Sequence, residues 1–244
     1  MAGHNKWSKV KRYKEVADKK KGAMFSKLLK EIMVAAKSGS DPSGNARLRK
    51  AITDAKTQSV PKDNIDRAIK KGSGELGDVQ LDELTYEGYG PGGIAVMVEC
   101  VTDNRLRTQP ELRKIFEKNA GNIGEMGAVA WGFEKKGTIL ISKVHSKEEE
   151  LMNLVLEAGA DDLNSSEEGF EVVTSPENFE SVRSSLEKAK IPMELAEVSL
   201  VATNRITVTG TKAEEIQKLI EALEDHDDVQ RVTTNADFGN ADFG

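Results

Sequence analysis

Charge is distributed so unevenly along this sequence that the chain is expected to fold as regions of opposite sign. Residues 1–75 contain 19 lysines and arginines against 8 aspartates and glutamates, a net charge of +11. Residues 76–244 contain the other 16 lysines and arginines and the other 33 aspartates and glutamates, a net charge of −17. A positive field at one end is typical of proteins that bind polyanions, because each phosphate neutralised by lysine or arginine releases a condensed counterion. The sequence therefore suggests nucleic acid as a partner.

Apolar side chains in the basic region recur at the spacing of helices. Between Phe25 and Lys37 they form one stripe, while Lys27, Lys30 and Lys37 cluster on another side. The helices predicted in this way span residues 8–21, 23–37, 45–58 and 62–71, and Gly72 is expected to end the last one. The region is therefore predicted to be an all-helical basic module.

The candidate nucleic-acid-binding residues are cations of this module together with one tryptophan. They are Lys6, Trp7, Lys9, Lys11, Arg12, Lys14, Lys20, Lys27, Lys30, Arg47 and Arg49. Trp7 can stack on an unpaired base or pack against the helices. The alternatives are that the cations form the solvated side of amphipathic helices, or that they bind an acidic protein surface. No helix carries arginine, asparagine or glutamine along one face as a duplex-reading helix does, which favours contacts with the phosphate backbone or with RNA.

From Leu84 onward the pattern changes from helical to mixed. The run IAVMVECVT (94–102) predicts a buried strand, and Thr108 with Glu111 has the spacing of a capping box that opens a helix. The preceding YEGYGPGG (86–93) is interpreted as a turn, because it lacks the GK[ST] of a phosphate-binding loop. The polar segment 103–108 is either a capped loop or a contact for phosphate or a partner.

The order of the predicted elements contains one pattern twice. Starting from a strand at 138–142, the elements up to residue 201 run β-α-β-β-α-β, the ferredoxin-like arrangement. Removing them leaves a second β-α-β-β-α-β series: 94–102, 108–119, 128–133, 205–209, 212–224 and 229–233. We therefore predict an α+β fold, in which an N-terminal helical domain is followed by two ferredoxin-like α/β domains, one inserted in the other. The predicted boundaries are 1–75, then 83–134 plus 204–235, and 136–203 for the inserted domain.

Composition argues against several other functions. The single Cys100 lies in an apolar run, and the three histidines are far apart in the sequence, so neither a disulfide framework nor a metal-ligand spacing is present. No apolar stretch of 18 residues occurs. We expect a cytoplasmic protein that is not an enzyme, with no catalytic residues, no metal site, no cofactor, no small-molecule substrate and no membrane partner. The remaining enzyme hypothesis would use Asp103, Arg105 and the glycine-rich segment.

Five stretches resemble one known family. They are AGHNKWSKVK, DPSGNARLRKAI, VPKDNIDRAIKKGSG, YEGYGPGGIAVMVECVTDNR and GNIGEMGAVAWGFEKKG. In these stretches the chain is similar to the YebC/PmpR family, which also contains the mitochondrial translational activator of cytochrome c oxidase. The resemblance runs over essentially the whole chain. It implies three domains, a helical N-terminal one and two α/β ones.

The same resemblance implies a role in gene expression. Bacterial members are described as probable transcriptional regulators that bind DNA, whereas others act in translation at the ribosome, where they relieve stalling on proline-rich stretches. The family has no settled catalytic residues. The leading interpretation is therefore a DNA-binding transcriptional regulator, and the alternative is a translation factor associated with the ribosome or ribosomal RNA.

Overall fold

The computed structural model describes residues 21–77 and 80–238, which form helices near the N-terminal end and sheets with packed helices further on. The helices are α1 (Lys21–Ala36), α2 (Ala46–Thr57), α3 (Lys62–Gly72), α4 (Arg105–Lys118), α5 (Glu148–Glu157), α6 (Phe179–Lys188) and α7 (Gly210–Glu224). The strands are β1 (Asp82–Tyr89), β2 (Ala95–Thr102), β3 (Asn122–Ile123), β4 (Phe133–Ser142), β5 (Asp162–Ser165), β6 (Gly169–Thr174), β7 (Leu195–Ala202), β8 (Ile206–Thr207), β9 (Val229–Thr234) and β10 (Ala236–Asp237).

The described residues separate into two compact units. The first unit contains the residues up to 128 together with 215–232, and the second contains 129–214 together with 233–238. The predicted α+β class with N-terminal helices is confirmed. Among the described residues no helix is both long enough and apolar enough to cross a membrane.

Helices α1, α2 and α3 of the first unit enclose a small apolar core. The buried members of this core are Ile32, Ala35, Ala36, Leu48, Ala51, Ala55, Val60, Ile65 and Ala68. Helix α2 begins after Asn45, whose side chain accepts a hydrogen bond from the backbone N–H of Leu48 and so satisfies a free donor of the first turn. The predicted helices at 23–37, 45–58 and 62–71 are confirmed to within two residues at each described end. The predicted helix at 8–21 lies almost entirely outside the described residues.

Gly72 is the last residue of α3 rather than the residue that follows the helix. A Cβ atom at this position would lie 2.2 Å from the carbonyl oxygen of Met33 and 2.8 Å from the Cβ atom of Ala36, both in α1. The missing side chain therefore lets α3 approach α1 closely. Glycine at this position is a packing requirement and not only a helix terminator.

The α/β part of the first unit is a four-stranded sheet in the order β3-β1-β2-β9. Strands β1 and β2 form an antiparallel hairpin, with Asp82 opposite Thr102 and Tyr89 opposite Ala95. Helices α4 and α7 pack on the sheet, and the core they share consists of Val96, Val98, Cys100, Leu112, Phe116, Leu219, Leu223, Val229 and Val232. Val34 of α1 packs against Leu81 and Val101, so the helical core and the sheet are joined within this unit.

Three sequence predictions for this part of the chain are wrong. Residues 86–89, predicted to be part of the turn at 86–93, belong to strand β1, and only the residues from Gly90 to Gly93 turn. The strand expected at 128–133 is absent, since 130–132 form a single 3₁₀ turn. Helix α4 begins at Arg105 after the cap Asn104, whose side chain accepts from the N–H of Arg107, and not at Thr108.

The second unit contains the antiparallel sheet β5-β6-β4-β7, on whose core α5 and α6 pack. Its β-α-β-β-α-β order matches the predicted inserted ferredoxin-like pattern. Strand β4 runs without interruption from Phe133, five residues before the start of the strand predicted at 138–142. The residue at 137 is glycine because a Cβ atom there would lie 2.2 Å from Oγ1 of Thr174 and 2.7 Å from the ring of Phe179.

The strand predicted at 205–209 is reduced to the two residues of β8. This strand pairs in parallel with β10, with Ile206 opposite Ala236, and does not join the sheet of the first unit. Strand β1 occupies the place in that sheet that the sequence pattern had given to a later strand. The boundaries of the three predicted domains stay a prediction.

Candidate nucleic-acid interface

Lys27 and Lys30, two of the predicted phosphate contacts, bind other parts of the first unit. The ammonium group of Lys27 donates to the carbonyl oxygen of Glu224, at the end of α7. Nζ of Lys30 lies 2.6 Å from Oδ1 of Asp228 and 3.0 Å from the carbonyl oxygen of Asp227. Both lysines therefore hold α1 against the turn between α7 and β9.

Asp228 is the centre of this contact, and its side chain is only 2% exposed. Its Oδ1 atom accepts from Lys30, and its Oδ2 atom accepts from Nη2 of Arg107 at 2.8 Å and from the hydroxyl group of Thr108 at 2.8 Å. The hydroxyl group of Thr102 lies 3.1 Å from the same Oδ2 atom. We call Asp228 with these four partners the Asp228 cluster, and it links α1, the end of β2, the first turn of α4 and the α7–β9 turn.

The ionisation of Asp228 follows from this environment. Burial by itself would raise the pKa of the carboxyl group, but the hydrogen bonds from Lys30, Arg107 and Thr108 outweigh burial and hold the pKa well below its usual range. The carboxylate is therefore charged throughout the neutral range, and it is matched by two cations.

Burial also lowers the pKa of Lys27. The nearby carboxylates of Glu224, Asp225 and Asp227 act in the opposite direction, but burial outweighs them and the pKa lies below its ordinary value. A half-buried ammonium group that donates inside the protein is poorly placed to neutralise a phosphate. The assignment of Lys27 and Lys30 to nucleic acid stays a prediction. Their contacts with Glu224, Asp227 and Asp228 give both lysines a structural role, which is to hold α1 against the α7–β9 turn.

Lys30→Met is expected to lower the free energy of unfolding by about 1.5–3 kcal/mol, the range for hydrogen bonds to charged groups. The matched control is Lys56→Met on α2, whose side chain is exposed and has no side-chain partner among the described residues. Urea denaturation of both variants measures the difference. Equal stability of the two variants would contradict a structural role for Lys30.

Arg47 and Arg49, the other two described candidates, differ in their surroundings. Arg47 lies between two carboxylates, with Nε 2.8 Å from Glu31 and Nη2 2.7 Å from Glu83. Arg49 donates to the carbonyl oxygen of Pro42 at 2.9 Å and is otherwise exposed. Arg49 is thus available to a phosphate without loss of an ion pair, whereas Arg47 is not.

Besides Lys71, four exposed cations on α2 and α3 are absent from the set predicted from the sequence. They are Lys56, Lys62, Arg67 and Lys70. All four are exposed, and within the described part of the chain none of them makes an ion pair or a side-chain hydrogen bond. Lys56 and Lys62 flank the short turn between α2 and α3, and Arg67 and Lys70 lie one helical turn apart on α3. We call these four residues the α2–α3 basic set.

Helical spacing alone could have identified two members of this set, Arg67 and Lys70. In α3 the buried residues are Ile65 and Ala68, and Arg67 and Lys70 fall on the opposite side of the helix. The remaining candidates, Lys6, Trp7, Lys9, Lys11, Arg12, Lys14 and Lys20, lie outside the described residues.

The segment 103–108 proves to be a cap and a set of ion pairs. Nη2 of Arg105 lies 3.1 Å from Asp82, and Arg107 contacts both Asp103 and Asp228. A cleft of about 720 Å³ beside it is lined by residues that include Lys30, Lys71, Arg107 and His226. The ring of His226 lies 3.0 Å from Glu111 and accepts from the N–H of Asp228, so it supports the turn. Within residues 21–77 and 80–238, no group of three or more His, Cys, Asp or Glu side chains is arranged to hold a metal ion.

Cys100 is buried in the core of the first unit. Burial raises the pKa of its thiol to about 12. Since the thiolate is the nucleophilic form of cysteine, this side chain is a packing residue.

The fold and these side chains define an α+β protein whose cationic helical region precedes two α/β sheets. The family model described as TACO1/YebC protein N-terminal domain matches residues 5–75, and the model described as TACO1/YebC second and third domain matches residues 81–236. The chain belongs to the TACO1/YebC family.

Relatives and a solved structure are similar over nearly the whole chain. A probable transcriptional regulatory protein of Geobacter sulfurreducens is 52% identical over 244 residues, which cover 100% of this chain and 98% of the relative. A probable transcriptional regulatory protein of Desulfotalea psychrophila is 52% identical over 239 residues, which cover 97% of this chain and 96% of the relative. The crystal structure of a conserved hypothetical protein from Aquifex aeolicus has a TM-score of 0.84 and 42% identity, with 93% of this chain and 95% of that chain covered.

Proposed function

We propose that this protein is a nucleic-acid-binding regulator of the YebC type, and that it acts as a DNA-binding transcriptional regulator. The observation that carries the proposal is the α2–α3 basic set, four exposed cations without partners among the described residues. They lie in the part of the chain with a net charge of +11. Unpaired cations bind phosphate without first giving up an ion pair, and the release of counterions then favours the complex.

Two further findings support a regulator over an enzyme. The relatives from Geobacter sulfurreducens and Desulfotalea psychrophila are named probable transcriptional regulatory proteins. In addition, the polar segment 103–108, which the enzyme hypothesis required, is used for the helix cap and for ion pairs with Asp82 and Asp228.

A translation factor associated with the ribosome or ribosomal RNA is the second candidate. The exposed side chains of α3 include Asp63 and Asp66 as well as Arg67 and Lys70. This mixture of charges lacks the arginine, asparagine or glutamine face that reads base edges in the major groove. It favours contact with a phosphate backbone, which DNA and ribosomal RNA both present.

Replacing the whole α2–α3 basic set with glutamine is expected to weaken DNA binding and to reduce its salt dependence. The slope of log affinity against log salt decreases by about 0.9 for each phosphate of duplex DNA that the protein no longer neutralises, hence by up to about 3.6. Fluorescence anisotropy with a labelled duplex at several salt concentrations measures the slope.

The matched control replaces four exposed lysines elsewhere in the chain. Lys143, Lys188, Lys212 and Lys218 are exposed and have no side-chain partner in the part that the structure describes. Glutamine at these positions makes the same change in net charge. If both quadruple variants lose affinity equally, the α2–α3 basic set is not the binding surface.

Sedimentation with purified ribosomes separates the two candidate functions. The full chain is sedimented at several salt concentrations in the presence of excess duplex DNA. If DNA removes the protein from the pellet and binds it in a defined register, transcriptional regulation is supported. If the protein stays with the ribosomes and the α2–α3 variant does not, the translation factor is the correct assignment.

A further inference from the structure

The loop between β3 and β4 presents an exposed methionine on a firmly held backbone. Met126 is 95% exposed, the highest value among the large apolar side chains of the described residues. It lies in a turn closed by a hydrogen bond from the N–H of Ala128 to the carbonyl oxygen of Glu125. Gly127 follows with φ +85°, a conformation that favours glycine. We call residues 124–128 the Met126 loop.

A buried carboxylate and a tyrosine fix the Met126 loop to strand β1. Glu87, only 7% exposed, accepts from the N–H of Gly127 through Oε1 at 2.7 Å. Its carbonyl oxygen accepts from the N–H of Gly124 at 2.8 Å. The hydroxyl group of Tyr89 donates to the carbonyl oxygen of Ala128 at 2.9 Å. The loop backbone is therefore held at three points, while the side chain at its tip contacts solvent.

Close packing of glycines explains how the loop lies so near the sheet. A Cβ atom at Gly124 would lie 2.8 Å from the Cβ atom of Ala128, and one at Gly88 would lie 2.6 Å from the carbonyl oxygen of Asn122. Strand β3, which leads into the loop, is one of the two edge strands of the sheet. The loop is thus a preformed projection at a sheet edge.

The stretch of sequence that contains α4 and the Met126 loop differs in net charge from the rest of the acidic part of the chain. Residues 105–128 contain five cations and three acids, a net charge of +2, although residues 76–244 as a whole have −17. The free cations here are Arg113, Lys114 and Lys118 on α4, which are exposed and have no side-chain partner among the described residues. The end of α4 is tied to the loop entry, since the N–H of Gly121 donates to the carbonyl oxygen of Phe116.

We propose that the Met126 loop is a second nucleic-acid contact, in which Met126 inserts at an unstacked base step of duplex DNA while Arg113, Lys114 and Lys118 contact the phosphates. Methionine is one of the apolar side chains that act as wedges between base steps, and its unbranched thioether adapts to the gap. A wedge must keep its backbone fixed while it enters the stack, and the hydrogen bonds to Glu87 and Tyr89 provide this. The inference rests on the proposed function and adds a site to it.

Binding to two DNA duplexes of the same sequence tests the inference, one fully paired and one with a single bulged base that opens a step. The wild-type protein is expected to bind the bulged duplex about 10-fold more tightly, because the open step spares part of the cost of unstacking the bases. Met126→Ala removes this preference, and Met126→Leu keeps most of it. Because Met126 is almost fully exposed, neither variant should change the midpoint of urea denaturation.

Two further variants serve as references. Leu106→Ala removes a side chain that is 84% exposed on α4 of the same unit, and it should leave the preference intact. The triple glutamine variant at Arg113, Lys114 and Lys118 should weaken binding to both duplexes by the same factor.

The outcomes separate the inference from the proposed function. If the wild-type protein binds neither duplex, the proposed function itself fails. If it binds both equally, or if Met126→Ala keeps the preference, the wedge is overturned and the proposed function stands. A preference that is present only with the corresponding bulged RNA overturns the assignment of DNA as the partner.

Discussion

The Asp228→Ala variant is expected to lose about 3 kcal/mol of unfolding free energy, the lower end of the range for breaking a buried ion pair. The lower end applies because Arg107 is 44% exposed and Lys30 19% exposed, so water partly replaces the missing carboxylate. Thr102 loses its acceptor at Oδ2, and Thr108 keeps only its other hydrogen bonds. Urea denaturation monitored by circular dichroism measures the loss.

The neighbouring Asp227→Ala is the matched control. The side chain of Asp227 is exposed, and only its backbone carbonyl group contacts Lys30, so this variant should stay within about 0.5 kcal/mol of the wild type. Similar losses for both variants would mean that the turn as a whole, and not the buried carboxylate, determines the stability.

The Asp228 cluster also gives the stability a defined dependence on pH. Since the folded state holds the pKa of Asp228 well below the unfolded value of about 4, its contribution is complete above that pH and is lost as the pH falls below it. Asp228→Asn cannot titrate at this position. The wild type should therefore lose more stability than this variant between about pH 5 and pH 3. Parallel curves would contradict a charged Asp228 in the folded state.

Gly72→Ala is expected to lose about 1–3 kcal/mol of unfolding free energy, the range for overpacking. The added Cβ atom would lie 2.2 Å from the carbonyl oxygen of Met33, and a backbone atom cannot rotate away as a flexible side chain can. Helix α3 must therefore move away from α1, which opens the core around Ile32, Ile65 and Ala68. The midpoint of urea denaturation reports the change.

Gly44→Ala is the reference for this substitution. Nothing lies within 4 Å of a Cβ atom at Gly44, which is in the loop before α2. That variant should match the wild type or be slightly more stable, because alanine restricts the unfolded chain. If Gly72→Ala is equally harmless, the two helices are less tightly packed than the distances indicate.

The helices were predictable because their signals are local. Asn45 caps α2 three residues before the N–H that it binds, and the apolar spacing of α3 is contained within the helix itself. The α+β class follows from the same kind of local periodicity, summed over the chain.

Glycine was the main source of error in the strands. Gly88 suggested a turn, but it lies in β1. Its missing side chain makes room for Phe116, since a Cβ atom there would lie 2.8 Å from the ring. Gly137 likewise lies inside β4, although the predicted strand begins only at residue 138. Local sequence cannot distinguish a glycine that bends the chain from one that makes room for a side chain distant in sequence.

The candidate interface was predicted only in part, and the reason is again distance along the chain. A helical pattern shows that Lys27 and Lys30 share a side of α1, but it cannot show that Glu224 and Asp228 lie opposite them. Lys56, Lys62, Arg67 and Lys70 were overlooked because their net charge is diluted by Asp54, Asp63 and Asp66. Accessibility, which the folded structure supplies, is what distinguishes the two groups.

The partners that hold α1 are separated from it by almost the whole length of the chain. Lys27 and its acceptor are 197 positions apart, and Lys30 and Asp228 are 198 apart. On the ribosome, α1 is synthesised long before residues 224–228, so its lysines emerge without the groups that later bind them. Contacts this distant in sequence are slow to form, since the chain must close a long loop first. A nascent chain of this protein therefore exposes a more cationic N-terminal region than the folded molecule does, until residues 224–228 are made and can reach α1.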